Sequence, residues 1–253
     1  MKPALLLLMF SCALACNARR SSVVAEAAGA SPSPSPSPSA SPSANRAVSG
    51  SIVVLGSSTS AGIGPKDPKQ AWVARYRRYL AERFPNLTLV NLAVGGLTTF
   101  EIQPTDYVPP PHRPAPAVGK NITAALLLRP RAIIVNLPSN DQAGNFPLAE
   151  QLANYDRVAN LSAAAHVPLW VSTTQPRNFD DPAQLASLIR ARDAIRQKFA
   201  PRVLDFWTPF AAPNGFIQAQ YNAGDGTHLN DAAHALLVGI VEGAHIPEQL
   251  AGI

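Results

Sequence analysis

The chain has 253 residues, of which 47% are hydrophobic and 15% charged, with a formal charge of +5. That length and apolar content fit one α/β-sized domain with a buried core, and they exclude a wholly disordered chain. The basic residues form no block or basic-aromatic stripe, and Arg75, Arg77 and Arg78 fall on an amphipathic helical pattern as a solvated face, so nucleic-acid binding is not expected.

Lys2 is followed by the apolar run 4–10 and then by small residues ending at Cys16. The run is too short to span a bilayer as a mature helix, so it reads as the hydrophobic region of a secretory signal. Ala13-Leu14-Ala15-Cys16 resembles a bacterial lipobox, with Ala13 where Leu is usual. An ordinary signal cleaved after Ala15 is the alternative. The resemblance implies a signal over residues 1–16, lipidation of Cys16, and an exported protein held at a membrane of the bacterial envelope. Cys12 and Cys16 are the only cysteines, so the chain beyond them has no disulfide, thiol nucleophile or thiolate metal site.

Residues 17–48 read as a disordered tether. A near-perfect Ser-Pro alternation from Ser31 to Ser43 cannot build a core and favours extended polyproline II. At about 3.1 Å per residue, it could hold a domain up to roughly 100 Å from its anchor.

From residue 49 to 253 the pattern becomes a single domain of alternating strand and helix signals. Residues 51–55 form a β-branched apolar run ending at Gly56, the mark of a buried strand. A helix is predicted over 71–84, stopped by Pro85, and a second strand over 87–92. After a Pro-rich excursion (104–116) come a helix over 121–128 and a strand over 131–137. A helix over 148–165, a strand over 167–172, a helix over 182–199, a brief strand over 203–205 and a closing helix over 231–242 complete the series. Five short strands separated by helices predict a parallel sheet covered on both faces, a three-layer α/β/α arrangement of flavodoxin type.

In such sheets ligands gather outside the carboxyl ends of the strands. Three segments follow the first three strands: Gly56-Ser57-Ser58-Thr59-Ser60-Ala61-Gly62, the stretch from Asn91 to Thr99 containing Gly95-Gly96, and Asn136-Leu137-Pro138-Ser139-Asn140-Asp141; a fourth, Gly224-Asp225-Gly226-Thr227-His228-Leu229, precedes the last helix. Singly, each reads as a turn or a helix cap. The first lacks the Gly-Lys-Ser/Thr of a phosphate loop, and it also fails the Gly-x-Ser-x-Gly of an ordinary α/β-hydrolase.

Together, in this order and after these strands, the four segments resemble the SGNH (GDSL-like) hydrolase superfamily over nearly all of residues 49–245. The resemblance implies Ser58 as nucleophile, Asp225 and His228 as the acid–base pair, and an oxyanion hole formed by the backbone N–H groups of Ser58 and Gly96 with the Asn140 amide. The chemistry fits those residue types. A Ser hydroxyl needs a base to take its proton during attack. A His within reach supplies that base at neutral pH, and an Asp on its other ring nitrogen fixes the tautomer.

Three residues depart from the family pattern. Ser57 replaces the usual Asp and Thr59 the usual Leu, which implies altered support rather than lost activity. Pro138 replaces the usual Gly. Because it fixes φ and removes an N–H, the loop presenting Asn140 is expected to take a different path, with Asn136 the nearby substitute on the strand. The remaining histidines are weaker candidates: His166 and His245 sit near predicted helix ends, His234 lies on the last helix, and His112 stands beside Arg113 in the Pro-rich loop. None pairs with metal-ligand spacing, so neither metal nor cofactor is expected.

The leading expectation is a serine esterase that hydrolyses a carboxylic ester through an acyl-Ser58 intermediate. Family members act on acetylated carbohydrates, lipids and simple esters. The tethered, exported design favours a carbohydrate or other small acyl ester, and no long apolar lid is evident. An O-acyltransferase using the same triad and a non-catalytic surface-binding module are the alternatives. By position after strand ends, the 104–116 loop and Phe100, Tyr107, Phe146 and Phe179 are expected to border the pocket.

Overall fold

The computed structural model describes residues 48–252. The signal segment, the lipidation candidate Cys16 and all but the last residue of the tether lie outside the described residues. Strand β1 (Gly50–Gly56) shows how the sheet is built. Ile52 and Val54 point to one face and Val53 and Leu55 to the other, and all four are fully buried. That two-residue period with both faces apolar is what a parallel strand sandwiched between helices requires. Strand β3 (Ala132–Asn136) repeats it, with Ala132 and Ile134 in one cluster and Ile133 and Val135 in the other. Each Val, Leu or Ile among them contributes about 1.5–3 kcal/mol through burial.

Strands β2 (Leu87–Asn91), β4 (Leu169–Ser172) and β5 (Val203–Leu204) complete a five-stranded sheet in the order β2-β1-β3-β4-β5. All the pairings are parallel. This is the flavodoxin-type order expected from the sequence, and its switch point falls between β1 and β3.

Helices α2 (Trp72–Arg83), α7 (Asp231–Gly243) and α8 (Ile246–Ala251) cover the Ile52/Val54 face. Helices α3 (Ile122–Leu127), α5 (Leu148–Ala164) and α6 (Pro182–Phe199) cover the other. Two one-turn helices, α1 (Ser58–Ala61) and α4 (Asn140–Ala143), follow β1 and β3 directly. Along α2 the buried residues Trp72, Val73, Tyr76 and Leu80 recur at helical spacing, and Arg77 and Arg78 face solvent.

His234 has a structural role in this packing. It is buried on α7, and its Nδ1 accepts the Trp72 N–H at 3.0 Å. It thereby satisfies one of the open donors at the start of α2, where Ala71 offers no side-chain cap. Burial pushes its pKa down to about 4, so the ring is the neutral acceptor that this bond needs. His112, His166 and His245 all lie exposed with left-handed backbone, at turns rather than in a site.

Candidate active site

The three candidate triad residues come from opposite ends of the chain. Ser58 opens α1 immediately after β1, and only 8% of it is accessible. Asp225 and His228 lie on the loop leading to α7. That loop is fixed by two asparagines. Asn222 Oδ1 accepts from Gly224 N at 2.8 Å and Gly226 N at 3.1 Å. Asn230 caps α7 by accepting from Ala233 N, and its amide donates to the Gln220 and Asn222 carbonyls.

Within this frame Asp225 Oδ2 lies 2.6 Å from His228 Nδ1. Its Oδ1 accepts the backbone N–H groups of Thr227 at 2.9 Å and His228 at 2.8 Å. Burial works to raise the Asp225 pKa. The hydrogen bonds from His228 and Thr227, with the nearby His228 charge, outweigh it and hold the pKa at about 2. Asp225 is therefore an anion across the neutral range and fixes a proton on Nδ1, which leaves Nε2 as the basic nitrogen.

The nucleophile turn and the histidine loop are packed against each other. Gly62 and Ile63 both return their N–H groups to the Ser58 carbonyl. Gly64 then approaches so closely that a Cβ there would lie 2.1 Å from Leu229 O and 3.2 Å from His228 Cβ. On the other side, Thr59 Oγ1 donates to Gln175 Oε1 at 2.8 Å, and Gln175 Nε2 donates to Thr227 O at 3.2 Å. The neighbours of Ser58 and His228 are thus tied together. Among the described residues no hydrogen bond joins Ser58 Oγ to the His228 ring.

The oxyanion candidates converge on the same side. A Cβ on Gly95 would stand 3.9 Å from Ser58 Cβ, which brings the β2 loop against the nucleophile. Gly96 adopts φ +90, a left-handed turn that favours glycine. Neither Ser58 N–H nor Gly96 N–H takes a backbone partner among the described residues. Asn140 begins α4, and its Nδ2 donates to Leu97 O at 2.9 Å, one residue beyond Gly96, so Pro138 leaves this amide beside the β2 loop. Asn136 is no substitute, because its buried amide bonds Ser60 Oγ and Ser172 Oγ, both at 2.7 Å.

The sequence of one family model, described as the GDSL-like lipase/acylhydrolase family, matches residues 54–236. The chain belongs to that family. Solved structures with the same fold include the esterase EstA from a Pseudoalteromonas species, at 16% identity and TM-score 0.54, covering 77% of this chain and 96% of that one. An acetyl xylan esterase superposes at 12% identity and TM-score 0.59, covering 77% and 98%. A two-domain esterase active on acetylated mannans superposes at 16% identity and TM-score 0.52, covering 80% of this chain but 49% of that protein. Among curated proteins none matches the sequence.

The chain is accordingly a carboxylic ester hydrolase of the GDSL-like family, and its departures from the family pattern can be read from the geometry. Thr59 is buried and makes the Gln175 bond described above, so a polar tie to the segment that follows β4 stands where the family has an apolar residue. Ser57 is fully buried, and its hydroxyl has no partner among the described residues.

From the sequence, Asn140-Asp141 reads only as a helix cap or a turn. In this GDSL-like hydrolase Asp141 is a fully buried carboxylate that accepts Thr99 Oγ1 at 2.5 Å and Thr99 N at 3.1 Å. Thr99 Oγ1 in turn accepts from Asn154, and Gln103 ties the Thr99 carbonyl to Asn154. Burial raises the Asp141 pKa to about 6 against the lowering effect of the Thr99 bonds. With Asn140, it clamps the Gly95-Gly96 loop to α4.

The four aromatics expected near the pocket differ in their placement. Phe100 and Phe179 are core residues, only 1% and 7% exposed. Phe100 packs edge-on against Phe146, with the Arg113 guanidinium over both rings and paired to Glu150. Tyr107 lies under Arg157. Phe146 and Tyr107 are half-buried, each beneath an arginine.

Gly64 provides a direct test of the packing between the two loops. At φ +118 and with Leu229 O in the way, Gly64→Ala must displace the nucleophile turn from the histidine loop. Its kcat on p-nitrophenyl acetate is expected to fall about 10–100-fold, since a shift near 1 Å at reacting groups costs that much. Thermal melting checks that the variant is still folded. An unchanged kcat would show that this contact does not set the spacing.

Proposed function

We propose that the enzyme removes short acyl groups, acetyl above all, from carbohydrate esters through an acyl-Ser58 intermediate. Ser58 Oγ attacks the ester carbonyl as His228 Nε2 takes its proton, and Asp225 stabilises the imidazolium. The oxyanion is held by the N–H groups of Ser58 and Gly96 and by the Asn140 amide, each worth about 2.7–4 kcal/mol to the barrier. His228 returns the proton to the departing alcohol, and water then releases the acid by the same route in reverse.

The observation that carries this reading is the Asp225–His228 pair at 2.6 Å, on a loop packed against the turn that bears Ser58. The carbohydrate preference is supported by two structural neighbours described as acting on acetylated xylan and acetylated mannans. A series of p-nitrophenyl esters tests it alongside acetate release from acetylated xylan. We expect kcat/KM to be highest for acetyl and to fall at least tenfold by octanoyl. A preference for long acyl chains, with no acetate released from xylan, would overturn the carbohydrate reading.

A further inference from the structure

Arg177 occupies a place in the site that the triad chemistry leaves without a role. The chain leaves β4 at Ser172 and runs beyond the carboxyl end of the sheet. Asn178 N then donates to Gly226 O at 2.8 Å, and Asn178 Oδ1 accepts from Ile217 N at 2.8 Å. This pairing sets Arg177 beside Asp225. On its other side, Arg177 Nη1 reaches Ser139 Oγ at 3.4 Å, next to the oxyanion candidate Asn140. The guanidinium therefore bridges the acid–base loop and the oxyanion loop, and its carbon lies 4.8 Å from the centre of the Phe179 ring.

Its donors are largely unused. A guanidinium carries five N–H groups, and this one makes a single long hydrogen bond to a hydroxyl. No carboxylate stands within ion-pair distance of it among the described residues, whereas Arg113, Arg192 and Arg196 are paired to Glu150, Asp193 and Asp205. Asp225 is itself not within that distance, and its carboxylate already accepts from His228 and from two backbone N–H groups. Burial lowers the Arg177 pKa from its ordinary value, and the Asp225 charge offsets that only in part. A half-desolvated cation with open donors is completed by a planar anion able to accept two parallel hydrogen bonds.

We propose that Arg177 selects substrates whose alcohol portion carries a carboxylate, as an acetylated uronic acid unit in an acidic polysaccharide does. The alcohol side follows from position, because Arg177 adjoins the loop of His228, which protonates the departing oxygen. The inference rests on the esterase reading given above.

Matched probes test it: 4-acetoxybenzoate, whose leaving group bears a carboxylate, and its neutral methyl ester, assayed with wild type, Arg177→Gln and Arg177→Lys. The quantity read is the ratio of kcat/KM for the acid to that for the methyl ester. Arg177→Gln is expected to lower this ratio at least tenfold, with the loss in KM for the acid. Arg177→Lys should restore part of it, and 0.5 M salt should compress the wild-type ratio. Monosuccinyl p-nitrophenyl ester carries its charge on the acyl side, and its rate relative to p-nitrophenyl acetate should respond little. An unchanged ratio in Arg177→Gln, with both rates lowered equally, would make Arg177 a brace between loops and overturn the proposal while leaving the esterase standing. Failure of wild type on every probe, with no fluorophosphonate labelling, would overturn the esterase reading itself.

Discussion

Ser58→Ala is expected to lower kcat/KM on p-nitrophenyl acetate by about 10⁴–10⁶-fold, the range found when a serine nucleophile is removed. Little else should change. Ser58 is small and nearly buried at the start of α1, and the backbone bonds that shape the turn come from its carbonyl, which alanine keeps. The melting temperature should therefore stay within a few degrees of wild type. Labelling by a fluorophosphonate should vanish with the activity. Turnover persisting in the purified variant would mean that another group attacks the ester, and the acyl-Ser58 mechanism would fall.

Asp225→Asn should cost about 10⁴-fold in kcat, for a different reason. An Asn Oδ1 can still accept the Thr227 and His228 N–H groups, so the loop keeps its shape. The amide NH₂ then faces His228 Nδ1, where Oδ2 now sits at 2.6 Å. A donor there makes Nδ1 the acceptor and moves the ring proton to Nε2, the nitrogen that has to take the proton of Ser58. The histidine is held in place with the wrong tautomer. The loss should appear in kcat with KM little changed, in contrast to Arg177→Gln acting on the anionic probe. A kcat within tenfold of wild type would show that the Asp225–His228 contact is not catalytic.

The parts legible in the sequence were those governed by local pattern. The runs at 51–55 and 131–137 announced β1 and β3 because burial on both faces demands unbroken β-branched residues there. Helices α2, α5 and α6 were legible from apolar periodicity and from the residues that end them, such as Pro85 after α2. One-turn helices were missed. Helices α1 and α4 have four residues each, too few to show a period, and the six-residue α8 was not read either. The fourth strand also starts at Leu169 rather than at residue 167, since pairing with β3 and not propensity sets its first residue.

By itself the sequence determined the order of strands and helices, the placing of Ser58, Gly96 and Asn140 after strand ends and of Asp225 and His228 before the last helix, and the family those positions belong to. Those features depend on residue type and spacing along the chain. Only the tertiary structure decided that Asp225 meets His228 through Nδ1, that Asn140 stays beside the Gly96 loop despite Pro138, and that Asp141 is a buried clamp. It also placed Arg177 between the two halves of the site. Apart from the local Asp225–His228 contact, those facts join segments about 40 to 50 residues apart, and spacing along a chain carries no information about which hydrogen bonds form when distant loops are packed together. Ser58 was therefore a weak local motif in the sequence. In the fold it sits on a turn packed against the loop that carries the Asp225–His228 pair.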